Sequence, residues 1–202
     1  MVRSSHTQTV HPESEGASTL YRRLLGPDWA DVPGCIQRLH ATFAPDEIQG
    51  NFSVRHGQHL ASRTLARILR LPPESVCIDI TLHVDTKQDA EIWTRHFGEC
   101  LVVTRQSSEP DDLLCERFGL MDFRFELYVE NGHLVYRQVA VSLRVGPCSF
   151  RLPRWLSPVI RAVEKPCSNS DSVEVSVEVT LPWSGLLLAY HGIMDCGRSP
   201  SE

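Results

Sequence analysis

Apolar and polar residues change their rhythm near Leu71, from a helical spacing before it to an alternation of two after it. In Val76-Cys77-Ile78-Asp79-Ile80-Thr81-Leu82-His83-Val84 every second residue is apolar, which gives a strand one core face and one polar face. The same period returns in Phe123 to Val129, in Leu134 to Val145 and in Val173 to Val179. Asn131-Gly132 joins the first two of these as a hairpin, because both residues tolerate the positive φ of a tight primed turn. Shorter strands are expected at Asn51 to Arg55, Cys100 to Arg105 and Leu186 to Ile193. The segment Phe150 to Pro158 carries too many prolines for a central strand and is expected to cross an edge or mouth of the sheet.

Ahead of Leu71 the apolar spacing predicts three short helices. The first runs from about Ser18 to Leu25 and stops at Gly26-Pro27. The second has Asp31 as N-cap and an apolar stripe of Val32, Cys35, Ile36, Leu39 and Phe43, with His40 at its edge. A third near Gln58 to Arg70 is closed by Pro72-Pro73. Helices followed by a long antiparallel meander predict an α+β domain: a curved, largely antiparallel β-sheet or incomplete barrel packed against two or three N-terminal helices. The expected domain covers residues 18–195, with polar tails at 1–17 and 196–202.

Composition narrows the function. The chain has 202 residues, a net charge of -5, 42% hydrophobic residues and 22% charged ones, which fits one soluble globular domain and argues against a nucleic-acid partner. No apolar run approaches the roughly 20 residues that span a bilayer, and no secretory h-region is seen near Met1, so a cytoplasmic protein without a membrane partner is expected. Seven cysteines lie scattered without a Cys-x-x-Cys pair, a pattern of reduced thiols that gives no zinc site. No Rossmann or phosphate-loop glycine pattern occurs, and neither a metal nor another cofactor is expected.

The candidate chemistry lies on the sheet. Asp79 and His83 share the polar face of one strand, about 13 Å apart at the usual rise, so they cooperate only through a substrate or a second strand. In an enclosed site Asp79 would serve as general base, with His83 or Tyr136 assisting; the alternative is a carboxylate and an imidazole in water. Arg55, Arg95 and Arg117 have the fork geometry that holds a carboxylate or phosphate, the alternative being ion pairs with Glu116 or Asp79. Trp93 supplies cavity wall or core, and His40 is either a satisfied core-edge histidine or a ligand contact.

Leu39-His40, Val54-Arg55-His56-Gly57, Trp93-Thr94-Arg95-His96-Phe97-Gly98, Glu116-Arg117-Phe118-Gly119, Leu152-Pro153 and Tyr190-His191-Gly192 together resemble a bacterial domain-of-unknown-function family, DUF4166. The resemblance covers about Leu20 to Ile193. Members of that family occur alone or attached to a saccharopine-dehydrogenase-like domain, which implies a partner oxidoreductase as one role. The family brings no activity with it. His191 stands where an arginine is usual.

These features lead to the expectation of a cofactor-independent biosynthetic enzyme that performs cyclisation, isomerisation or elimination by proton transfer. Asp79, His83 and Tyr136 would be catalytic, and Arg55, Trp93, Arg95, Glu116, Arg117 and His40 would hold a small polar or anionic substrate. The alternative is a noncatalytic small-molecule-binding or oxidoreductase-accessory protein using the same cavity.

Overall fold

A computed structural model describes residues 19–41, 47–87, 90–169 and 171–197. Eleven strands make one antiparallel sheet: β1 (Ile48–His56), β2 (Ser75–Lys87), β3 (Ala90–Phe97), β4 (Cys100–Glu109), β5 (Leu113–Phe118), β6 (Met121–Glu130), β7 (His133–Val145), β8 (Cys148–Arg151), β9 (Val159–Pro166), β10 (Ser172–Leu181) and β11 (Gly185–Asp195). Their order is β6-β5-β4-β3-β2-β1-β11-β10-β9-β7-β8, and β6 also pairs with β7. That last pairing joins the two ends of the row, so ten strands close into a barrel and β8 hangs from β7 outside the circuit. The expected antiparallel sheet with early helices is present, and its closure corrects the incomplete barrel. Closure removes the exposed strand edges that an open sheet would have to protect.

The Asn131-Gly132 hairpin forms as its residues dictate, with φ of 52° and 74° at the two turn positions. Elsewhere the local expectations shift. The first helix, α1 (Leu20–Leu25), is capped by the Thr19 hydroxyl, which accepts from the Arg22 amide at 3.1 Å, and ends at Gly26. A 3-10 turn over Gly26–Asp31 then uses up Asp31, so α2 (Gly34–Leu39) begins after Pro33 rather than at an Asp31 cap. Phe43 lies outside the described residues, as do residues 1–17 of the expected tail. The third helix, α3 (Leu60–Ile68), sits between β1 and β2. Gly57 permits that exit, because a Cβ there would stand 1.7 Å from the Leu186 carbonyl oxygen. At the other end of the chain Cys196 is buried, and its amide donates to the Asp171 carbonyl at 2.7 Å.

Strand direction sets where the helices lie. α1 and α2 pack at the end of the barrel where β1 starts, and Tyr21, Leu39 and His40 plug it. At the opposite end α3 lies against β1 and β11, tied down by the Ser62 hydroxyl, which donates to Ser184 Oγ at 3.0 Å. The inward face of each strand supplies the core: Phe52, Ile80, Leu82, Trp93, Phe97, Leu114 and Phe125 are all buried. Each such side chain contributes about 2–3 kcal/mol when removed from water. A bulge separates Gln138 from Ala140 opposite Arg124-Phe125. It shifts the inward set of β7 by one residue, from Leu134 and Tyr136 to Val141.

Candidate functional site

The inward faces do not meet at the barrel axis. They leave a cavity of about 310 Å³, within the range of small-molecule sites. Phe52, Ile80, Leu82, Phe97, Val175 and Val177 line its walls, and Leu65, Leu69 and Leu71 close it beneath α3. Polar atoms are confined to two groups.

The first group lies where α1 and α2 plug the barrel. Tyr136 donates to Glu164 Oε1 at 2.7 Å, and Glu164 Oε2 is 2.8 Å from His40 Nε2. The Tyr136 hydroxyl is also 3.3 Å from that of Tyr21, which donates to Gln106 Oε1 at 2.9 Å. His40 stacks on Tyr21 with ring centroids 3.6 Å apart and lies 5.4 Å from Trp93. Its Nδ1 is buried and has no hydrogen-bond partner among the described residues. Burial, and then the Glu164 charge, raise both Tyr21 and Tyr136 well above the ordinary phenol range. Both are therefore neutral hydrogen-bonding groups at ordinary pH.

The second group is centred on Arg95. Its guanidinium lies 3.5 Å from Glu116, donates to Thr104 Oγ1 at 3.0 Å and stands 5.1 Å from the Trp93 ring centroid. Burial opposes its charge, but the Glu116 carboxylate offsets this and its pKa lies above the usual value. Tyr190 also lines the cavity, and its hydroxyl makes no hydrogen bond among the described residues. Burial raises that phenol, while Arg95 pulls it the other way. A guanidinium edge and a free hydroxyl thus border the same apolar space.

Of the residues singled out in the sequence, His40, Trp93, Arg95, Glu116 and Tyr136 are brought together at this cavity. Asp79 and His83 are exposed on the outer face of β2, where Asp79 accepts from the Asn51 side-chain amide at 2.9 Å. Arg55 is exposed on the outside of β1. Arg117 is also outside, 2.6 Å from the buried carboxylate of Asp122, which lies 3.4 Å from Arg144 as well. Sequence reasoning missed Tyr21, Gln106 and Glu164. For Glu164 a signal existed: Ile160, Ala162 and Glu164 alternate along β9, a segment not read as a strand. Among the described residues no three His, Cys, Asp or Glu side chains cluster to hold a metal ion, and no helix is long and apolar enough to cross a membrane.

Fold and site together define a closed antiparallel β-barrel with an apolar interior cavity and polar groups at selected points. The chain belongs to the family described as domain of unknown function, DUF4166, whose model matches residues 33–194. No curated protein matches it. Among solved structures it is similar to a protein of unknown function of the DUF3598 family from Nostoc punctiforme, at 10% identity and a TM-score of 0.45. That match covers 75% of this chain and 47% of the other, so the chain spans about half that protein's length. A Thermobifida fusca protein given as a candidate thioesterase II has 11% identity and a TM-score of 0.25, covering 79% of this chain and 82% of its own.

Proposed function

We propose that the barrel binds a small, largely apolar molecule bearing one polar group, and orients that group toward Arg95, Tyr190 and Tyr136. The supporting observation is the contrast inside the cavity: apolar walls along most of its length, and fixed hydrogen-bonding atoms at a few places. Burial of the apolar body supplies affinity, and the fixed polar groups supply direction. Arg95 already faces Glu116, so an anionic ligand has to share or displace that partner, whereas a neutral oxygen needs only the Tyr190 hydroxyl.

The test is calorimetric titration of the purified chain with medium-length unbranched carboxylic acids and the matching alcohols. Binding of one molecule per chain, lost when Val177→Trp fills the cavity, is the expected result. Failure of every member of the series to bind would remove this reading.

A second reading keeps proton-transfer catalysis, favoured by the unbroken line from the Tyr136 hydroxyl through Glu164 to His40. In it Glu164 accepts a proton from the bound molecule and returns it at another atom, while the hydrogen bonds from Tyr136 and His40 hold the carboxylate in place. Asp79 and His83 have no part in that scheme. Native mass spectrometry with a metabolite extract separates the two readings: conversion lost in Tyr136→Phe with binding retained supports catalysis, and retention without conversion in either protein supports a carrier.

A further inference from the structure

The α3 end of the barrel carries apolar side chains that no described residue covers. Leu60 and Ile68 of α3 are 77% and 70% exposed, and Phe150 of β8 stands out with Leu120, Trp155 and Trp183 of the strand connections around it. These segments share one end because of strand direction, and contacts bind them together: Ser62 reaches Ser184 beside Trp183, the Arg144 amide donates to the Leu120 carbonyl at 2.8 Å, and Cys100 Sγ meets the Arg70 carbonyl at 3.5 Å.

Charge is sorted in the same direction. Across residues 57–74, 98–99, 119–120, 146–158 and 182–184 the arginines are Arg63, Arg67, Arg70, Arg151 and Arg154, against Glu74 and Glu99 alone. Arg63, Arg67, Arg70 and Arg154 form no ion pair among the described residues, and α3 contains no acid. The opposite end carries Arg22, Arg23, Arg38 and Lys87, but these are outnumbered there by acids, among them Asp28, Asp31, Glu109, Asp111, Asp112, Glu130 and Asp195. A basic rim on a chain of net charge -5 is therefore a local feature and not an effect of composition.

We infer that this end docks on an anionic lipid surface. Exposed tryptophan, leucine and phenylalanine suit the boundary between headgroups and acyl chains, and the arginines suit the anionic headgroups. Docking of this kind needs no spanning helix. It also places the leucine-lined end of the cavity, beneath α3, nearest the lipid. The docking itself does not depend on what the cavity holds.

Co-sedimentation of the full chain with phosphatidylcholine vesicles, with and without an equal part of phosphatidylglycerol, tests it. The wild type is expected on the anionic vesicles at low salt, with blue-shifted tryptophan emission, and not on phosphatidylcholine alone. Replacing Arg63, Arg67 and Arg70 by Gln is expected to lower the partition coefficient roughly a hundredfold. Replacing Arg22, Lys87 and Lys165 by Gln removes the same net charge from the other end and is expected to leave it within about threefold. Trp155→Ser with Trp183→Ser gives a second, charge-independent loss of at least about tenfold. Binding to neither vesicle, equal loss in both charge variants, or occlusion of this face by a second copy of the chain would overturn the inference.

Discussion

Tyr136 and His40 lie 96 residues apart in the chain, and the carboxylate of Glu164 accommodates both, at 2.7 Å from the phenol and 2.8 Å from the imidazole. Removing that carboxylate strands two buried polar groups at once. Glu164→Ala is expected to cost roughly 3–5 kcal/mol of stability, measured by urea unfolding. Tyr136→Phe should cost only about 1 kcal/mol, because Glu164 keeps His40. The double variant Tyr136→Phe with Glu164→Ala should lose less than the sum of the two; simple additivity would show that the hydrogen bond is not energetically coupled.

Arg95 is expected to discriminate among ligands of the proposed cavity. Arg95→Met should weaken binding of a medium-chain carboxylic acid by roughly 10–100-fold through loss of a charge-assisted hydrogen bond. The matching alcohol should lose less than about fivefold. Calorimetry of the two series decides, and equal losses would place the head group elsewhere.

Alkaline pH should destabilise the barrel. Tyr21, Tyr136 and Tyr190 are all raised by burial, so each holds its proton in the folded state at a pH where the unfolded chain releases it. The stabilisation is complete below the unfolded phenol value of about 10 and is lost as pH rises from there toward the folded values. Cys115 and Cys196, both pushed up to about 12, act in the same sense from about pH 9 upward. Melting temperature followed from pH 8 to 11, with tyrosinate absorbance recorded alongside, should fall as three of the four phenols ionise together with unfolding. Independent ionisation of all four in the folded protein would contradict this.

Gly192 faces Phe52 across the β1–β11 pairing, and a Cβ on it would meet the Asn51 carbonyl oxygen at 2.2 Å and the Phe52 ring at 2.4 Å. Gly192→Ala must push β1 and β11 apart or turn the ring into the cavity. A loss of about 1–3 kcal/mol in urea unfolding is expected, along with reduced capacity for ligand. An unchanged midpoint would mean that the strands yield freely there.

Much of the wall was legible because a barrel strand has one wet and one dry face, and alternation in β2, β6 and β10 records it. What alternation cannot supply is the global fact of which face closes on which. Asp79 and His83 looked promising because they shared the polar face of a strong strand, but in a closed barrel filled with apolar side chains the polar face is the outside. Inward charges such as Arg95 and Glu116 sit on short strands among aromatic residues, where their sequence context resembles that of a loop. Tyr136 shows a different difficulty: the bulge at Val139 puts it on the same interior surface as Val141, although simple counting along β7 assigns the two to opposite faces. Glu164 was hidden because its strand is bracketed by prolines at Pro158 and Pro166.

The seam between β1 and β11 joins an early strand to a late one, with partners from Gln49 to His56 meeting Asp195 to Leu188. During synthesis the growing chain can form a curved gutter but cannot complete its circumference until β11 leaves the ribosome. Until then β1 and β10 present bare edges, and the interior that will become the cavity drains to water. The wall around the cavity is therefore complete only once β11 has paired with both β1 and β10, and a molecule that must remain dry can be enclosed only after that pairing.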